Sequence, residues 1–290
     1  MQVVSAGRTV PGQRPSWLKA SAPAGDNYRE LKALVSRLKL HTVCESAACP
    51  NLGECWSRRT ATFMILGNAC TRRCRFCAVS KGVPQPLDYD EPRRVAEAVA
   101  ALGLRYVVIT SVTRDDCEDG GAGVFAMTIH AIREQAPGCR VEVLVPDFRG
   151  NPLALERVLA AQPDVLAHNV ETVPALYARV RPGADYQRSL ALLARARQWW
   201  PQMPLKSGLM LGLGETLQEV LQTMRELVAS GASILTLGQY LSPSAQHLPV
   251  VRFVAPEEFA ELARIGYEMG FSRVEAGPLV RSSYHAAQAF

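Results

Sequence analysis

The feature that most limits the possible folds is a regular alternation of short apolar segments with amphipathic segments, which starts near residue 60. Six apolar segments are predicted to be strands: TATFMIL (60–66), YVVITS (106–111), RVEVLVP (140–146), DVLAHNV (164–170), LKSGLML (205–211) and SILTLG (233–238). Strands that alternate with helices pair in parallel through right-handed crossovers. The alternation therefore predicts an α/β fold, built either as an open doubly wound sheet or as a complete or partial barrel.

Residues that favour helix ends lie between these strands. Predicted helix starts are marked by Asp90 with Pro92, Asn151 with Pro152, Asp185, Glu215 with Thr216, and Pro256, and predicted ends by Gly103, Gly231 and Gly270. Proline in the first turn and glycine just past the last turn are the expected asymmetry of a helix. A further helix is predicted near residues 26–39, ahead of the first strand.

Composition excludes several classes of protein. The 290 residues are 48% hydrophobic and 20% charged, as in an ordinary globular protein. No apolar run approaches the roughly 18 residues of a transmembrane helix, and the N-terminus lacks the apolar stretch of a secretory signal. The net charge of +5 is modest and its basic residues are scattered. We therefore expect a cytoplasmic protein without a nucleic-acid or membrane partner.

Six of the eight cysteines fall into two groups of three, the N-terminal trio (Cys44, Cys49, Cys55) and the loop trio (Cys70, Cys74, Cys77). Without an export signal these should be thiols rather than disulfides. A structural zinc ion takes four protein ligands, so six thiolates are too many for one ion and too few for two. Thiolate trios suit [4Fe-4S] clusters, and each trio would leave one iron open. The loop trio also follows a predicted strand, where parallel α/β folds place their functional loops.

The segment CTRRCRFC (70–77), with Phe76 before the last cysteine, resembles the signature of the radical S-adenosylmethionine superfamily. The resemblance implies a partial (β/α)6 TIM-type barrel with N-terminal and C-terminal extensions. It also implies that the loop trio holds a [4Fe-4S] cluster whose open iron binds S-adenosylmethionine. One electron then cleaves the sulfonium, giving a 5′-deoxyadenosyl radical that removes a hydrogen atom.

The same resemblance implies contacts to S-adenosylmethionine at the ends of three strands. Besides Phe76, the implied cofactor-binding residues are Thr110, Ser111, Asn169, Glu171, Lys206, Gly208, Gly212 and Glu215. Glycines in a GxIxGxxE-like segment would let the backbone approach a nucleoside. For each single residue, an ordinary hydrogen bond at the barrel mouth is an equally good explanation.

The N-terminal trio also lacks a fourth ligand, and the residues alone leave its identity open. Candidates are Cys117, Cys139, the histidines, Glu45, Glu54 and the hydroxyls of the terminal RSSY, and softness alone ranks Cys117 first. Together, Cx4Cx5C, CxxxCxxC, SVTRDD, HNVETV and RSSYHA are similar to the lipoyl synthase family across residues 40–286. That resemblance implies that Cys44, Cys49, Cys55 and Ser283 hold an auxiliary [4Fe-4S] cluster, with Ser282 less favoured as the fourth ligand.

The implied reaction inserts two sulfur atoms, at C6 and C8, into an octanoyl chain on a lysine of a lipoyl carrier domain, of the E2 subunit or glycine cleavage H protein type. The auxiliary cluster would be the sulfur donor, so its four ligands are also the expected catalytic residues. Two molecules of S-adenosylmethionine, a flavodoxin or ferredoxin, and an iron–sulfur carrier protein are implied as well. Contacts to an acidic carrier, or simple solvation, would explain Arg58, Arg72, Arg73 and Arg281.

Other functions compete with this interpretation. A biotin synthase-like sulfur-inserting enzyme would place its second cluster inside the barrel, so an N-terminal trio argues against it. An iron–sulfur electron carrier would normally cap every iron with cysteine. A zinc-scaffolded binding module is the third alternative. In the favoured interpretation, residues 1–58 carry the auxiliary cluster ligands, 59–270 form the barrel and 271–290 form a C-terminal extension.

Overall fold

The computed structural model describes residues 15–19, 25–47, 49–57, 60–284 and 286. Its strands are β1 His41–Thr42, β2 Thr62–Ile65, β3 Ala69–Cys70, β4 Ser80–Lys81, β5 Tyr106–Ser111, β6 Arg140–Leu144, β7 Val165–Ala167, β8 Leu205–Leu211, β9 Ile234–Gln239 and β10 Arg273–Gly277. Its α-helices are α1 Asp26–Arg37, α2 Val43–Ser46, α3 Leu52–Ser57, α4 Glu91–Ala101, α5 Ala122–Gln135, α6 Pro152–Ala160, α7 Tyr177–Val180, α8 Tyr186–Trp199, α9 Leu217–Ala229 and α10 Pro256–Met269. No helix in these ranges is long and apolar enough to cross a membrane.

One eight-stranded sheet, in the order β1-β2-β5-β6-β7-β8-β9-β10, organises the chain. The six strands from β2 to β9 follow one another in chain order, and all of them pair in parallel. A doubly wound sheet reverses its strand order at a switch point, whereas a barrel does not. The predicted partial (β/α)6 barrel is therefore confirmed. The sheet is not closed, because β1 adds an antiparallel edge to β2 and β10 adds a parallel edge to β9.

The strand bounds differ from the predicted ones mainly at the carboxyl ends. β5 and β8 match the prediction residue for residue, whereas β7 stops at Ala167 instead of continuing to residue 170. Beyond Ala167 the chain turns, and Glu171 adopts the left-handed conformation with φ of 67°. Residues 168–171 leave regular strand geometry at this point but stay hydrogen-bonded to β8, through His168 N–H to the Lys206 carbonyl and through a parallel bridge between Glu171 and Leu209.

The two faces of the sheet bury different chemistry. On β5, Val107 and Ile109 belong to the main apolar core with the helices. Side chains alternate along a strand, so Tyr106 lies on the opposite face, inside the barrel. There its hydroxyl donates to Glu142 at 2.6 Å, and Lys206 Nζ lies 2.9 Å from the same carboxylate. The barrel interior therefore contains a buried, fully paired polar group.

The two terminal segments lie together at the open side of the barrel. Asn51 Nδ2 donates to the Leu279 carbonyl at 2.6 Å, and the Tyr284 hydroxyl donates to the Glu54 carboxylate at 3.3 Å. β10 lies within the predicted C-terminal extension, yet it continues the barrel sheet. The three-part division stays a prediction, and residues 58 and 59 at its first boundary lie outside the described ranges.

Candidate functional site

The loop trio lies in the connection between β2 and α4, at the carboxyl end of the barrel. All eight cysteines of the chain are thiols rather than disulfides. Burial raises the pKa of Cys74, and it raises that of Cys77 to about 11. The nearby charges of Cys74 and Cys70 also raise the pKa of Cys77. A metal cluster that binds them must displace their protons and compensate the buried charge.

Neighbouring loops hold the loop trio across the barrel mouth. Arg75 N–H donates to the Val180 carbonyl at 2.9 Å, and the Arg75 carbonyl accepts from Leu248 N–H at 3.2 Å. His247 Nε2–H donates to the Cys77 carbonyl at 3.1 Å. Phe76 packs against an apolar cluster that includes Val180 and Leu248. Connections that follow β7 and β9 therefore fix the position of the trio.

Several buried polar atoms at the barrel mouth have no partner among the described residues. They are Ser111 Oγ, His168 Nε2, Asn169 Oδ1, Thr172 Oγ1 and Arg181 Nε. Buried polar groups in folded proteins are nearly always paired, so unpaired polar atoms at the carboxyl ends of β5 and β7 fit a polar ligand. Gly208 lies beside them, and a Cβ there would meet Thr236 Oγ1 at 2.5 Å and Asn169 Oδ1 at 3.1 Å. This end of the barrel can accept a polar small molecule.

The Glu171 carboxylate and the Arg181 guanidinium lie near each other at the barrel mouth. Burial raises the pKa of Glu171, whereas the charge of Arg181 and a hydrogen bond from Asn169 lower it. Arg181 Nη1 donates to the Asn169 and Val170 carbonyls at 3.0 and 3.1 Å. Arg181 also lies close enough to lower the pKa of Cys74. The arginine therefore links the loop trio to the polar strand ends.

The N-terminal trio lies in a separate pocket. Its other lining residues are Asn51, Thr60, Thr62, Arg281, Ser283 and Tyr284. Burial raises the pKa of Cys44 and of Cys49, and the nearby Arg281 guanidinium opposes the rise at Cys49. Three thiols from the N-terminal segment thus share one small pocket with a serine hydroxyl from the C-terminal segment. This donor set fits a cluster with three soft ligands and one hard ligand.

Neither trio is arranged to bind a single metal ion. Among the described residues, no three histidine, cysteine, aspartate or glutamate side chains are placed to hold a single metal ion. Thiolates around an iron–sulfur cube bind different irons and stand further apart than thiolates around one zinc ion. Three thiols at each trio, with a serine hydroxyl beside the N-terminal one, are a donor set that a [4Fe-4S] cluster can use.

Comparisons with known proteins agree with this geometry. Residues 64–227 match the family model described as the radical SAM superfamily. Residues 5–49 match the model described as the N-terminal domain of lipoyl synthase of the radical SAM family. The lipoyl synthase of Koribacter versatilis is 60% identical over 95% of this chain and 91% of its own length. The chain belongs to the lipoyl synthase family.

Further members of the lipoyl synthase family are almost as similar. The Rubrobacter xylanophilus protein is 59% identical over 94% of this chain and 85% of its own length. The corresponding values for the Roseiflexus protein are 58%, 94% and 91%. As a member of the radical SAM superfamily, the chain is an enzyme that uses S-adenosylmethionine and a [4Fe-4S] cluster.

Solved structures support the fold alone. Methylornithine synthase matches with a TM-score of 0.54 at 14% identity, over 73% of this chain and 69% of its own. A maturase of the [FeFe]-hydrogenase matches with a TM-score of 0.57 at 15% identity, over 73% of this chain and 55% of its own. Both proteins share the partial-barrel fold described above. At these low identities the match says nothing about function.

Within this lipoyl synthase family chain, some predicted cofactor contacts have partners in the protein itself. Thr110 Oγ1 donates to the Leu144 carbonyl at 2.9 Å, and Lys206 is paired with Glu142. Glu215 accepts from the N–H groups of Gly212 and Leu213 at 2.5 and 2.9 Å. The structure brings Asn169, Glu171 and Gly208 together at the mouth, and Ser111, at the end of β5, adds a buried hydroxyl without a partner among the described residues. These four residues have the clearest geometry for a ligand.

The pocket of the N-terminal trio discriminates among the candidate fourth ligands. Ser283 is among its lining residues, whereas Ser282, Cys117 and Cys139 are not. Cys117 Sγ lies 3.9 Å from Asp116 Oδ2 and lines a different pocket. Cys139 is buried, with its thiol directed to the Arg140 carbonyl at 3.5 Å. Softness alone ranked Cys117 first, but the fold places it elsewhere.

The proposed carrier contacts need one correction. Arg72 is not on the surface, because it is only 8% exposed and forms ion pairs with Asp115 and Asp147. Arg73, the next residue, is exposed, whereas Arg281 is half-buried beside the N-terminal trio. Arg58 lies outside the described residues. Arg181 and His168 could not be assigned to the barrel mouth from the sequence, since no local pattern distinguishes them from an ordinary arginine or histidine.

Proposed function

We propose that this chain inserts two sulfur atoms, at C6 and C8, into an octanoyl chain attached to a lysine of a lipoyl carrier domain. The observation that carries the proposal is the presence of two separate thiol trios, one at the barrel mouth and one beside a serine. The name lipoyl synthase, given to relatives of up to 60% identity, supports the same reaction. The proposed substrate is an octanoylated protein of the E2 subunit or glycine cleavage H protein type.

The loop trio would hold the cluster of the radical step. When bound, this [4Fe-4S] cluster supplies the electron that cleaves S-adenosylmethionine. Ser111, Asn169 and Glu171 would orient that cofactor, because they present polar atoms at the carboxyl ends of β5 and β7. Arg181 would balance negative charge between the cofactor and Cys74. Phe76 and its apolar neighbours would keep water from this side of the site.

The N-terminal trio and Ser283 would hold the second [4Fe-4S] cluster, which is consumed as the sulfur-donating substrate. Iron in a sulfide cube is thiophilic, so a serine oxygen is its weakest protein ligand. Ser283 lies on the C-terminal segment, which β10 and Asn51 hold against the N-terminal trio. The ligand that is easiest to detach is therefore also the one contributed by a separate segment. Restoring the cluster would require an iron–sulfur carrier protein.

The electron source and the cellular location also belong to the proposal. We propose a flavodoxin or ferredoxin as the reductant, since one electron is needed for each S-adenosylmethionine cleaved. All eight cysteines are thiols, which suits a reducing, cytoplasmic compartment.

Mass analysis of an octanoylated lysine peptide tests the proposed function. The reconstituted chain is incubated with S-adenosylmethionine and dithionite, and 5′-deoxyadenosine is quantified alongside. We expect a product with two sulfur atoms and two molecules of 5′-deoxyadenosine for each product. Formation of 5′-deoxyadenosine without sulfur in the peptide would contradict sulfur insertion while leaving the radical chemistry. Formation of neither product would contradict the radical chemistry as well.

A further inference from the structure

A buried arginine lies inside the loop trio, between Cys70 and Cys74. Arg72 is 8% exposed, and its guanidinium contacts two carboxylates at once. Its Nε and Nη2 donate to Asp115 Oδ2 and Oδ1 at 2.8 and 2.9 Å, which is a two-pronged ion pair. Nη2 also donates to Asp147 Oδ1 at 2.5 Å. Bidentate pairs of this kind fix geometry as well as contributing energy.

The two carboxylates belong to different elements. Asp115 follows β5, and Asp147 follows β6 with its side chain fully buried. Asp147 also lies 3.3 Å from Arg188 on α8, and it accepts from Arg149 N–H at 3.0 Å. Arg72 therefore ties the loop trio to two strand ends and, through Asp147, to a helix.

The segment that carries Asp115 also contacts a cysteine sulfur. Thr71 Oγ1 donates to the Thr113 carbonyl at 2.9 Å and accepts from Asp115 N–H at 3.1 Å. Thr113 N–H in turn donates to Cys70 Sγ at 3.3 Å. Hydrogen bonds to cluster sulfurs are one of the means by which proteins set the reduction potential of iron–sulfur centres. The segment 113–115 thus both holds Arg72 and bonds to one of the thiols.

We propose that Arg72 is a positioning residue that holds segment 113–115 against Cys70, so that the Thr113 N–H···S contact and the spacing of Cys70 and Cys74 are fixed. The inference rests on the proposed function, which makes the loop trio the ligands of the radical cluster. A buried ion pair by itself is weak evidence for stability, since desolvation offsets much of the attraction. The Arg72 ion pair has a more specific effect on the geometry of the loop. Residues that hold metal ligands in place commonly change metal affinity or activity about 10- to 100-fold.

The chain offers a matched control in the next residue. Arg72→Gln and Arg73→Gln each remove one positive charge, at neighbouring positions. The first substitution breaks the buried ion pairs with Asp115 and Asp147, whereas the second changes only an exposed side chain. The two readouts are hydrogen exchange of the Thr113 amide in the reconstituted full chain and the change that S-adenosylmethionine causes in the EPR spectrum of the reduced cluster. Neither readout depends on turnover.

We expect Arg72→Gln to accelerate Thr113 exchange and to raise the S-adenosylmethionine concentration for the half-maximal spectral change, each about tenfold or more. Arg73→Gln should match the wild type in both. Arg72→Lys should fall between them, because a lysine cannot reproduce the planar fork. If Arg72→Gln does not fold, Asp115→Asn replaces it, since that variant leaves the Asp147 pair intact.

Identical behaviour of Arg72→Gln (or its replacement) and Arg73→Gln would overturn the inference and leave the proposed function standing. A wild-type chain with no cluster at the loop trio, or no spectral response to S-adenosylmethionine, would instead overturn the proposed function itself.

Discussion

His168 is a buried histidine that the fold keeps neutral. Its side chain is 1% exposed, and burial together with the nearby Arg181 charge lowers its pKa to about 4. Nδ1–H donates to the Val145 carbonyl at 2.8 Å, so Nε2 carries the lone pair. In the unfolded chain His168 is protonated as the pH falls below 6.5, whereas in the folded chain it is protonated only near pH 4. His168 therefore favours unfolding as the pH falls through this window.

We expect the free energy of unfolding to fall more steeply in the wild type than in His168→Gln between pH 7 and pH 4. The difference between the two should change by about 3 kcal/mol, at about 1.4 kcal/mol for each pKa unit. Urea unfolding followed at several pH values measures it. Parallel stability curves would show that His168 titrates normally in the folded chain.

Ser283 is the residue on which the second cluster assignment depends. Ser283→Ala should still form 5′-deoxyadenosine, because the loop trio is untouched, but should lose sulfur insertion at least about tenfold. Ser282→Ala, the adjacent control, should have a milder effect, since Ser282 does not line the pocket. Loss of the second cluster in Cys117→Ala, combined with its retention in Ser283→Ala, would reverse the ligand assignment.

The predictable residues are those whose chemistry is encoded by spacing. The six clustered cysteines could be found from the sequence because three ligands of a cluster lie within one short segment. Arg181 could not, since its role depends on the distance to Cys74 across the barrel mouth. At Lys206, for which the sequence resemblance implied a cofactor contact, the structure shows a buried ion pair with Glu142 that the sequence could not have indicated.

At the scale of elements, the terminal segments form one structural unit around the second pocket. Asn51, which is 3% exposed, bonds to Leu279 O across the two segments. Shortening Asn51 would remove this donor from the part-buried Leu279 carbonyl. Buried acceptors without a donor cost about 1–3 kcal/mol.

Asn51→Ala should therefore reduce the iron bound at the N-terminal trio while leaving the cluster of the loop trio unchanged. Iron and sulfide analysis should fall from about eight of each toward about four. The spectral response to S-adenosylmethionine is the internal control and should persist. Full occupancy of both clusters in Asn51→Ala would show that the Asn51–Leu279 bond does not hold the pocket together.

Element prediction succeeded where the ends of elements carry clear residues. Helices α6 and α10 begin at the predicted prolines, Pro152 and Pro256. α5 was not predicted, because Gly121 precedes it without a side-chain cap. β10 was missed as well, since RVEAG is short and half-buried, and it becomes a strand only by pairing with β9. Tertiary pairing decided what local sequence left open.

At the scale of the whole molecule, the fold brings two thiol trios to one partial barrel and leaves cationic side chains near its mouth. Arg73 and Arg75 of the loop trio segment are exposed, and within the described residues neither forms an ion pair. An acidic carrier domain would be attracted to such a surface, and salt would weaken the attraction.

We expect Arg73→Glu with Arg75→Glu to raise KM for an octanoylated carrier protein several-fold at low salt, with little change at high salt. The KM for a short octanoyl-lysine peptide should stay unchanged, because the peptide lacks the acidic surface. Both are measured with dithionite, so the choice of protein reductant does not enter. An equal effect on peptide and carrier would place these arginines in the chemistry rather than in docking.

The central claim is that the N-terminal trio holds the sulfur that enters the product. The most direct measurement reconstitutes the chain with heavy-isotope sulfide, removes excess sulfide, and analyses the peptide product of a single turnover by mass spectrometry. We expect both inserted sulfur atoms to be heavy, and the variant Cys44→Ala with Cys49→Ala and Cys55→Ala to form 5′-deoxyadenosine but no sulfur-containing peptide. Ordinary sulfur in the product, or product from that variant, would contradict the claim.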